Sequence, residues 1–379
     1  MKILFINLPY VGHFVPTVGL VQELIKRDCQ VTYLMPYGWE DRVAESGADF
    51  QGYGNHKKLS EQIKNAYWAA EKMIHKYDGI VYEQFFFLGK HLAQKHGKPA
   101  VRIFTAPATN EKLMKAYLNA KGPLGIFRHK WIARSWTGEI LKELHLENSL
   151  QTDNWLDEIL HNPPVLNLVY TLREFQPYEE EFDTERYLFL GASAYERKGQ
   201  DWSFEKQERP LIYISLGTVV KGKRRFFQSY VDAFKEEELD IILSTGPQFD
   251  KGKIKNIPEN VHVYSFVPQA QVLKQADLFV THGGMNSISE ALICGVPLMV
   301  IPFMADQPVN ARRVEELGLG VQMDYHTLDK TILKQRVLSL LKNQQIKDNV
   351  VRMQEKLCNA PGNAGGAEAI LNCVRKTIQ

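Results

Sequence analysis

The sequence predicts an α/β protein of two domains, each built round a parallel sheet. Short apolar runs, of the sort a strand covered on both faces requires, alternate with stretches of helical periodicity. The alternation pauses once, at the polar and charged Lys198–Pro210, and then begins again. A length of 379 residues is enough for two domains of ordinary size.

Composition narrows the class. The 46 basic residues are nearly matched by 44 acidic ones, without the basic excess of a nucleic-acid binder. Cys29, Cys294, Cys358 and Cys373 form no C-x-x-C pair, and their spacings fit neither a zinc site nor a disulfide framework. A reduced, cytoplasmic setting is expected. The opening MKILFINLPYVGH is interrupted by Asn7, Pro9 and Gly12 and reads as a buried strand, not a signal peptide. No run is long enough to span a bilayer.

In the first half, Lys2–Leu8 is the first strand. Pro9–Phe14 reads as a turn, and Pro16 as the first helical residue, where its missing N–H costs nothing. A helix over Thr17–Lys26 and a strand over Gln30–Met35 complete a right-handed βαβ opening. His13 then stands at the carboxyl end of the first strand. A lone histidine is more often structural, but strand ends of an open α/β sheet are where ligands bind. Helices are expected over Asp41–Ser46 and Ser60–Tyr77, the second with Ile63, Tyr67, Ala70 and Ile74 on one face. Strand Asp78–Glu83 ends on a carboxylate. Helix Phe87–His96 and strand Ala100–Thr105 follow. Asn110–His161 reads as irregular and helical in patches. Within it, Gly125–Trp136 (GIFRHKWIARSW) reads as a helix packed on its own domain, or as a stretch lying on a membrane or over an apolar ligand. Pro164–Thr171 and Tyr187–Gly191 are further strands.

The second half opens with strand Leu211–Leu216, helix Arg225–Lys235, and strands Asp240–Ser244 and Val261–Phe266. Gly217–Lys223 nearly spells the loop G-x-x-x-x-G-K. Arg224 stands where a Ser or Thr would hold magnesium, and no strand ends in a matching aspartate, which argues against triphosphate hydrolysis. The densest chemistry lies in Ser265–Asn310. Strands Leu278–Thr281 and Pro297–Ile301 flank a helix over Asn286–Cys294, and His282-Gly283-Gly284 joins the first strand to it. Glycines before a helix let backbone approach a ligand, with the first N–H groups facing outward: a phosphate cradle without a Walker lysine. Ser287 and Glu290 lie three apart on one helix face. Ser-x-x-Glu at a helix start is also a capping box, and both readings stand. Helices over Asn310–Leu317, Lys330–Lys342 and Ala367–Lys376 follow.

Three blocks in this region, Phe266-Val267-Pro268-Gln269, His282 to Glu290 and Asp306-Gln307, resemble in order and spacing the donor-sugar signature of the UDP-glycosyltransferase superfamily, nearest its bacterial macrolide- and flavonoid-type enzymes. The resemblance implies the GT-B fold: two Rossmann-like α/β domains facing across a cleft. An acceptor-binding domain would span 1–200, a nucleotide-sugar-binding domain 201–360, and a helix within 361–379 would cross back to the first. It implies an inverting transfer of a sugar, glucose on the hint of Gln307, from a UDP- or dTDP-linked donor to a hydroxyl of a small apolar acceptor.

Roles follow from the same resemblance. His13 matches the general base and Glu83 the carboxylate that orients it, where the family has aspartate. Phe266 would stack on the nucleobase, while Val267 and Gln269 read its edge. Glu290 would accept from the ribose, and Asp306 and Gln307 would meet the sugar. Ser215, Gly217 and Thr218 would line the diphosphate from one side, with His282, Gly283, Gly284, Asn286 and Ser287 on the other. No two aspartates are two apart, so the Asp-x-Asp metal motif is absent, and no metal or other cofactor is expected. The leaving charge would fall on these donors and on a helix N-terminus worth about half a positive charge. Two rival readings share the fold: a non-catalytic nucleotide-sugar-binding partner, and a membrane-surface enzyme acting on a lipid-linked acceptor. A GT-B epimerase would need acid/base carboxylates in the second domain, and none is identified.

Overall fold

The computed structural model describes residues 1–119, 123–193, 202–217, 224–304, 306–327 and 329–378. The chain divides into two compact units, Met1–Tyr195 with Ala360–Gln379, and Glu196–Asn359.

The first unit runs β1 (Lys2–Ile6), α1 (Val11–Ile25), β2 (Gln30–Pro36), α2 (Glu40–Ala44), β3 (Asp49–Tyr53), α3 (Leu59–Met73), β4 (Gly79–Glu83), α4 (Gly89–Lys95), β5 (Ala100–Phe104), α5 (Glu111–Asn119), α6 (Pro123–Glu143), α7 (Trp155–His161), β6 (Leu166–Val169) and β7 (Tyr187–Phe189). Its sheet has the order β3-β2-β1-β4-β5-β6-β7, all parallel. Successive residues of β1 serve opposite faces, as strand geometry dictates. Leu4 and Ile6 join a core with α3 and α4, and Ile3 and Phe5 join one with α1.

Three departures from the sequence reading matter here. α1 begins at Val11, not Thr17, so His13 lies in a helical first turn, and Pro16 is inside the helix. The Tyr10 carbonyl accepts from the His13 and Phe14 amides at 2.9 and 3.0 Å, which starts the ladder early. Pro16 supplies no N–H to it, and the Thr17 hydroxyl adds a bond to the Phe14 carbonyl at 2.7 Å. The strand β3 was not expected, and Asn110–His161 is more regular than its sequence implies, with α5, α6 and α7 inside it.

The second unit runs β8 (Leu211–Ser215), α8 (Arg224–Phe234), β9 (Asp240–Ser244), β10 (Val261–Tyr264), α9 (Gln269–Leu273), β11 (Leu278–Thr281), α10 (Met285–Ile293), β12 (Leu298–Val300), α11 (Gln307–Glu316), β13 (Gly320–Gln322), α12 (Lys330–Leu341) and α13 (Gln344–Cys358). The parallel sheet has the order β10-β9-β8-β11-β12-β13. Neither β13 nor α13 was expected, and α11 starts three residues before Asn310.

α14 (Gly362–Ile378) returns to the first unit. Its Ala367, Ile370, Leu371 and Val374 are buried with Val18 and Val21 of α1. Small residues set this approach: a methyl at Gly366 would sit 3.1 Å from Leu20 and Leu190 side-chain carbons. Of the described helices, none is long and apolar enough to cross a membrane.

Candidate active site

In each sheet the chain winds one way from its first strand, then returns to the other side, and the crevice at that reversal is where open α/β sheets bind ligands. In the first unit the reversal lies between β1 and β4, which pair Phe5 with Val81 and Ile6 with Tyr82. His13 follows β1 and Glu83 ends β4. The two side chains meet there, with His13 Nδ1 2.9 Å from Glu83 Oε1. A carboxylate can only accept, so Nδ1 carries the hydrogen, and in the neutral ring the lone pair is on Nε2. The other carboxylate oxygen accepts from the Phe85 amide at 3.0 Å. Glu83 is 2% exposed, while the histidine side chain is partly open. The geometry would let a neutral imidazole act as a base while the carboxylate fixes its angle.

The open side of His13 faces a cavity of about 450 Å³ lined by Tyr10, Leu59, Phe85, Ile132, Trp136 and Trp155, among others. Phe85 stacks beside the imidazole with ring centroids 5.5 Å apart, and Tyr10 stands 5.3 Å away. Burial, and after it the Glu83 charge, pushes the Tyr10 phenol up, so it remains a neutral donor. Of these liners, Ile132, Trp136 and Trp155 fall in the Asn110–His161 region that the family resemblance assigns to the acceptor, and Leu59 and Phe85 were not singled out. The side chains of 125–130 lie outside the described ones, but Trp131 and Ile132 are exposed on α6. The run Phe85-Phe86-Phe87, two residues past Glu83, was the available signal for Phe85.

In the second unit the reversal lies between β8 and β11, whose register pairs Ser215 with Thr281. Leu216-Gly217 and His282-Gly283 therefore leave the sheet side by side. The His282 ring fills the space between them. A methyl at Gly217 would lie 2.7 Å from its Cε1, and one at Gly284 would lie 2.7 Å from its Nε2. Gly217 and Gly283 also have φ of 66° and 87°, the left-handed region. Gly217 and Gly284 are thus required by the chain's own histidine, whereas a methyl at Gly283 would meet Val300 at 2.5 Å. Burial pushes the His282 imidazole down to about 4, so near neutral pH it offers an N–H and no charge. The Ser215 hydroxyl accepts from the Gly217 amide at 3.4 Å. Thr218, and the rest of the P-loop-like run to Lys223, lie outside the described residues.

α10 is capped by Gly284 with no side-chain bond, and Ser287 is already its third residue. The capping-box reading of Ser287 and Glu290 therefore fails. Instead the Gln269 amide donates to Ser287 Oγ at 3.3 Å and Glu290 Oε2 at 2.8 Å, and its oxygen accepts from the Tyr213 hydroxyl at 3.4 Å. Gln269 is turned onto the α10 face rather than held free for a base edge. Asn286, Ser287 and Glu290 are half-buried on that face. Phe266 is 53% exposed after β10, and Val267 behind it is buried.

Asp306 precedes α11 and Gln307 begins it. The Gln307 amide oxygen accepts from the Phe303 and Met304 amides at 2.8 and 3.0 Å, so only its NH2 end remains for a ligand. The sequence reading missed Asn310, whose Nδ2 donates to the Gly283 carbonyl at 2.9 Å and to Asp306 Oδ2 at 2.8 Å. Its place four residues after Asp306, on the same helix face, was the signal.

Known proteins match over nearly the whole length. Residues 230–372 match the family of erythromycin biosynthesis protein CIII-like C-terminal domains. The NDP-glycosyltransferase YjiC of Bacillus licheniformis is 32% identical, with 96% of this chain and 95% of that protein covered. Among solved structures, the kitacinnamycin glycosyltransferase superposes with a TM-score of 0.85 at 26% identity, covering 98% of this chain and 99% of that one. The calicheamicin glycosyltransferase CalG4 gives 0.81 at 25%, covering 98% of both chains. With parallel sheets of order 3-2-1-4-5-6-7 and 3-2-1-4-5-6 and these loops at their reversals, the chain belongs to the UDP-glycosyltransferase superfamily and is a GT-B glycosyltransferase of its macrolide-type, nucleotide-sugar branch.

Proposed function

We propose that this enzyme transfers a sugar, glucose by preference, from a UDP- or dTDP-linked donor to a hydroxyl of a small, uncharged, apolar acceptor, with inversion and without a metal. The observation that carries the reading is the His13–Glu83 pair in the wall of an aromatic cavity. The cavity's size suits a drug-sized ligand, and its rings favour flat, apolar faces. His13 Nε2 takes the acceptor's hydroxyl proton as the oxygen attacks the anomeric carbon. The bond from that carbon to the diphosphate oxygen breaks, and the nucleotide diphosphate leaves with the electron pair. Glu83 steadies the imidazolium that forms.

The leaving charge is met by neutral donors: the His282 N–H, Ser287, Asn286 and the amides at the start of α10. Preorganised donors of this type are each worth about 3 kcal/mol where charge develops against them. Phe266 stacks on the base, Glu290 takes the ribose hydroxyls with Gln269 holding its carboxylate, and Asp306 accepts from the sugar. The test is a panel of nucleotide sugars offered with phenolic and macrolide acceptors. Glucosides of inverted anomeric configuration, formed equally with and without a chelator, are the expected product. Retention of configuration, or dependence on a divalent ion, would remove the mechanism.

A second reading, in which the acceptor is lipid-borne, draws on the exposed Trp131 and Ile132 of α6. Co-sedimentation with anionic liposomes would favour it.

A further inference from the structure

We infer that Asn310 is a positioning residue that locks the sugar-facing carboxylate of Asp306 to the Gly283 turn of the diphosphate cradle, so that the enzyme distinguishes a nucleotide sugar from its bare diphosphate. The inference rests on Asp306 and that turn serving the donor. Asn310 is fully buried on α11. Both groups at its amide nitrogen, the Gly283 carbonyl and Asp306 Oδ2, are acceptors. Chemistry alone therefore fixes which end of the amide faces them. The amide oxygen points into the core with no hydrogen-bond partner. A buried polar atom left unmet is unfavourable, and an apolar residue would avoid it. What the position requires is the NH2 group, with two hydrogens aimed at two places.

Those places have different tasks. Gly283 has φ of 87° and continues directly into the N-terminus of α10. Asp306 sits at the start of α11, one turn before Asn310. A carboxylate at the head of one helix is thereby held against the turn that opens another. Loss of the amide hydrogens removes this restraint on Asp306 and leaves the Gly283 carbonyl buried without this donor. The first effect is felt only by a ligand that carries a sugar, the second by any diphosphate.

The test is calorimetric binding of UDP-glucose and UDP, or the thymidine pair if that is the donor, to the parent, Asn310→Asp, Asp306→Ala and the double variant. Asn310→Asp keeps the shape and removes the donor. It should weaken nucleotide-sugar binding about tenfold or more, the scale of a lost hydrogen bond to a charged group, and weaken the bare diphosphate less. In the Asp306→Ala background the sugar-specific part should vanish, a non-additive cycle. The loss should also shrink from pH 8 towards pH 5.5, where the new carboxyl gains a proton it can donate. Equal losses for both ligands, additive and independent of pH, would overturn the inference. If Asn310→Asp does not fold, Asn310→Ser, whose hydroxyl cannot span both acceptors, should show the same sugar-specific loss. If Asp306→Ala itself leaves nucleotide-sugar binding unchanged, the donor-site reading fails too; if it weakens binding and Asn310→Asp does not, only the role of Asn310 falls.

Discussion

The Glu83 carboxylate divides its two oxygens between the His13 ring and the Phe85 amide, so the imidazole is held at one angle. His13→Ala should lower turnover by about 10²-fold or more with donor affinity kept, the usual scale for a general base. Glu83→Asp is one methylene too short to keep both bonds, and should fall between the parent and Glu83→Ala in turnover. His282 gives a second prediction. Its pKa is about 4 when folded against 6.5 for an open imidazole, so the unfolded chain takes the proton first as pH falls. The associated stability is whole above about pH 6.5 and erodes down to about pH 4, by up to about 1.4 kcal/mol per pH unit. Thermal melts of the ligand-free protein should show that slope, and His282→Asn should flatten it. At this scale the sequence showed residue types and spacing, which is why His13, Glu83 and His282 were legible. It could not show that the amide oxygen of Gln307 is used by its own loop, because that depends on the path between β12 and α11.

At the scale of elements, the start of α10 at Met285 shows that Ser287 and Glu290 are not its cap. Since the helix is capped by Gly284, Ser287→Ala with Glu290→Ala removes no cap. Folding stability should fall only by about 1–2 kcal/mol, the scale of the two lost Gln269 bonds, while nucleotide affinity falls. Melting and calorimetry on the same double variant separate the two. The parallel strands were readable because their burial on both faces leaves continuous apolar runs, as in β8 and β9. The edge strand β3 (DFQGY) has no such run, and β13 is three residues long, so neither rises above its surroundings. α13 buries Ile346, Val350 and Met353 at helical spacing and could have been read. The early start of α1 could not be, since Pro16 is a stronger local signal than the Tyr10 carbonyl that overrides it.

The two units are unequal in how the chain assembles them. Glu196–Asn359 is one continuous segment, whereas the first unit is interrupted by it and completed by α14. Gly366 is one of the places where that completion leaves no room for a side chain. Gly366→Val must displace Leu20 and Leu190 and should destabilise the first unit by about 1–3 kcal/mol, the range for overpacking a core. A melting curve followed by aromatic signals, beside unchanged nucleotide binding, would show it. The wish of α14 to bury Ala367, Ile370 and Leu371 was visible in its periodicity; its partner was not, because no local pattern names a surface so distant in sequence. This has a consequence for biosynthesis. On the ribosome the seven strands of the first unit, with His13 and Glu83, emerge early, yet a face of α1 stays uncovered until residues beyond 361 are made. At ordinary elongation rates that delay is on the order of ten seconds. During it the nascent polypeptide exposes Val18 and Val21 to water, so chaperone dependence should track translation speed through the intervening segment.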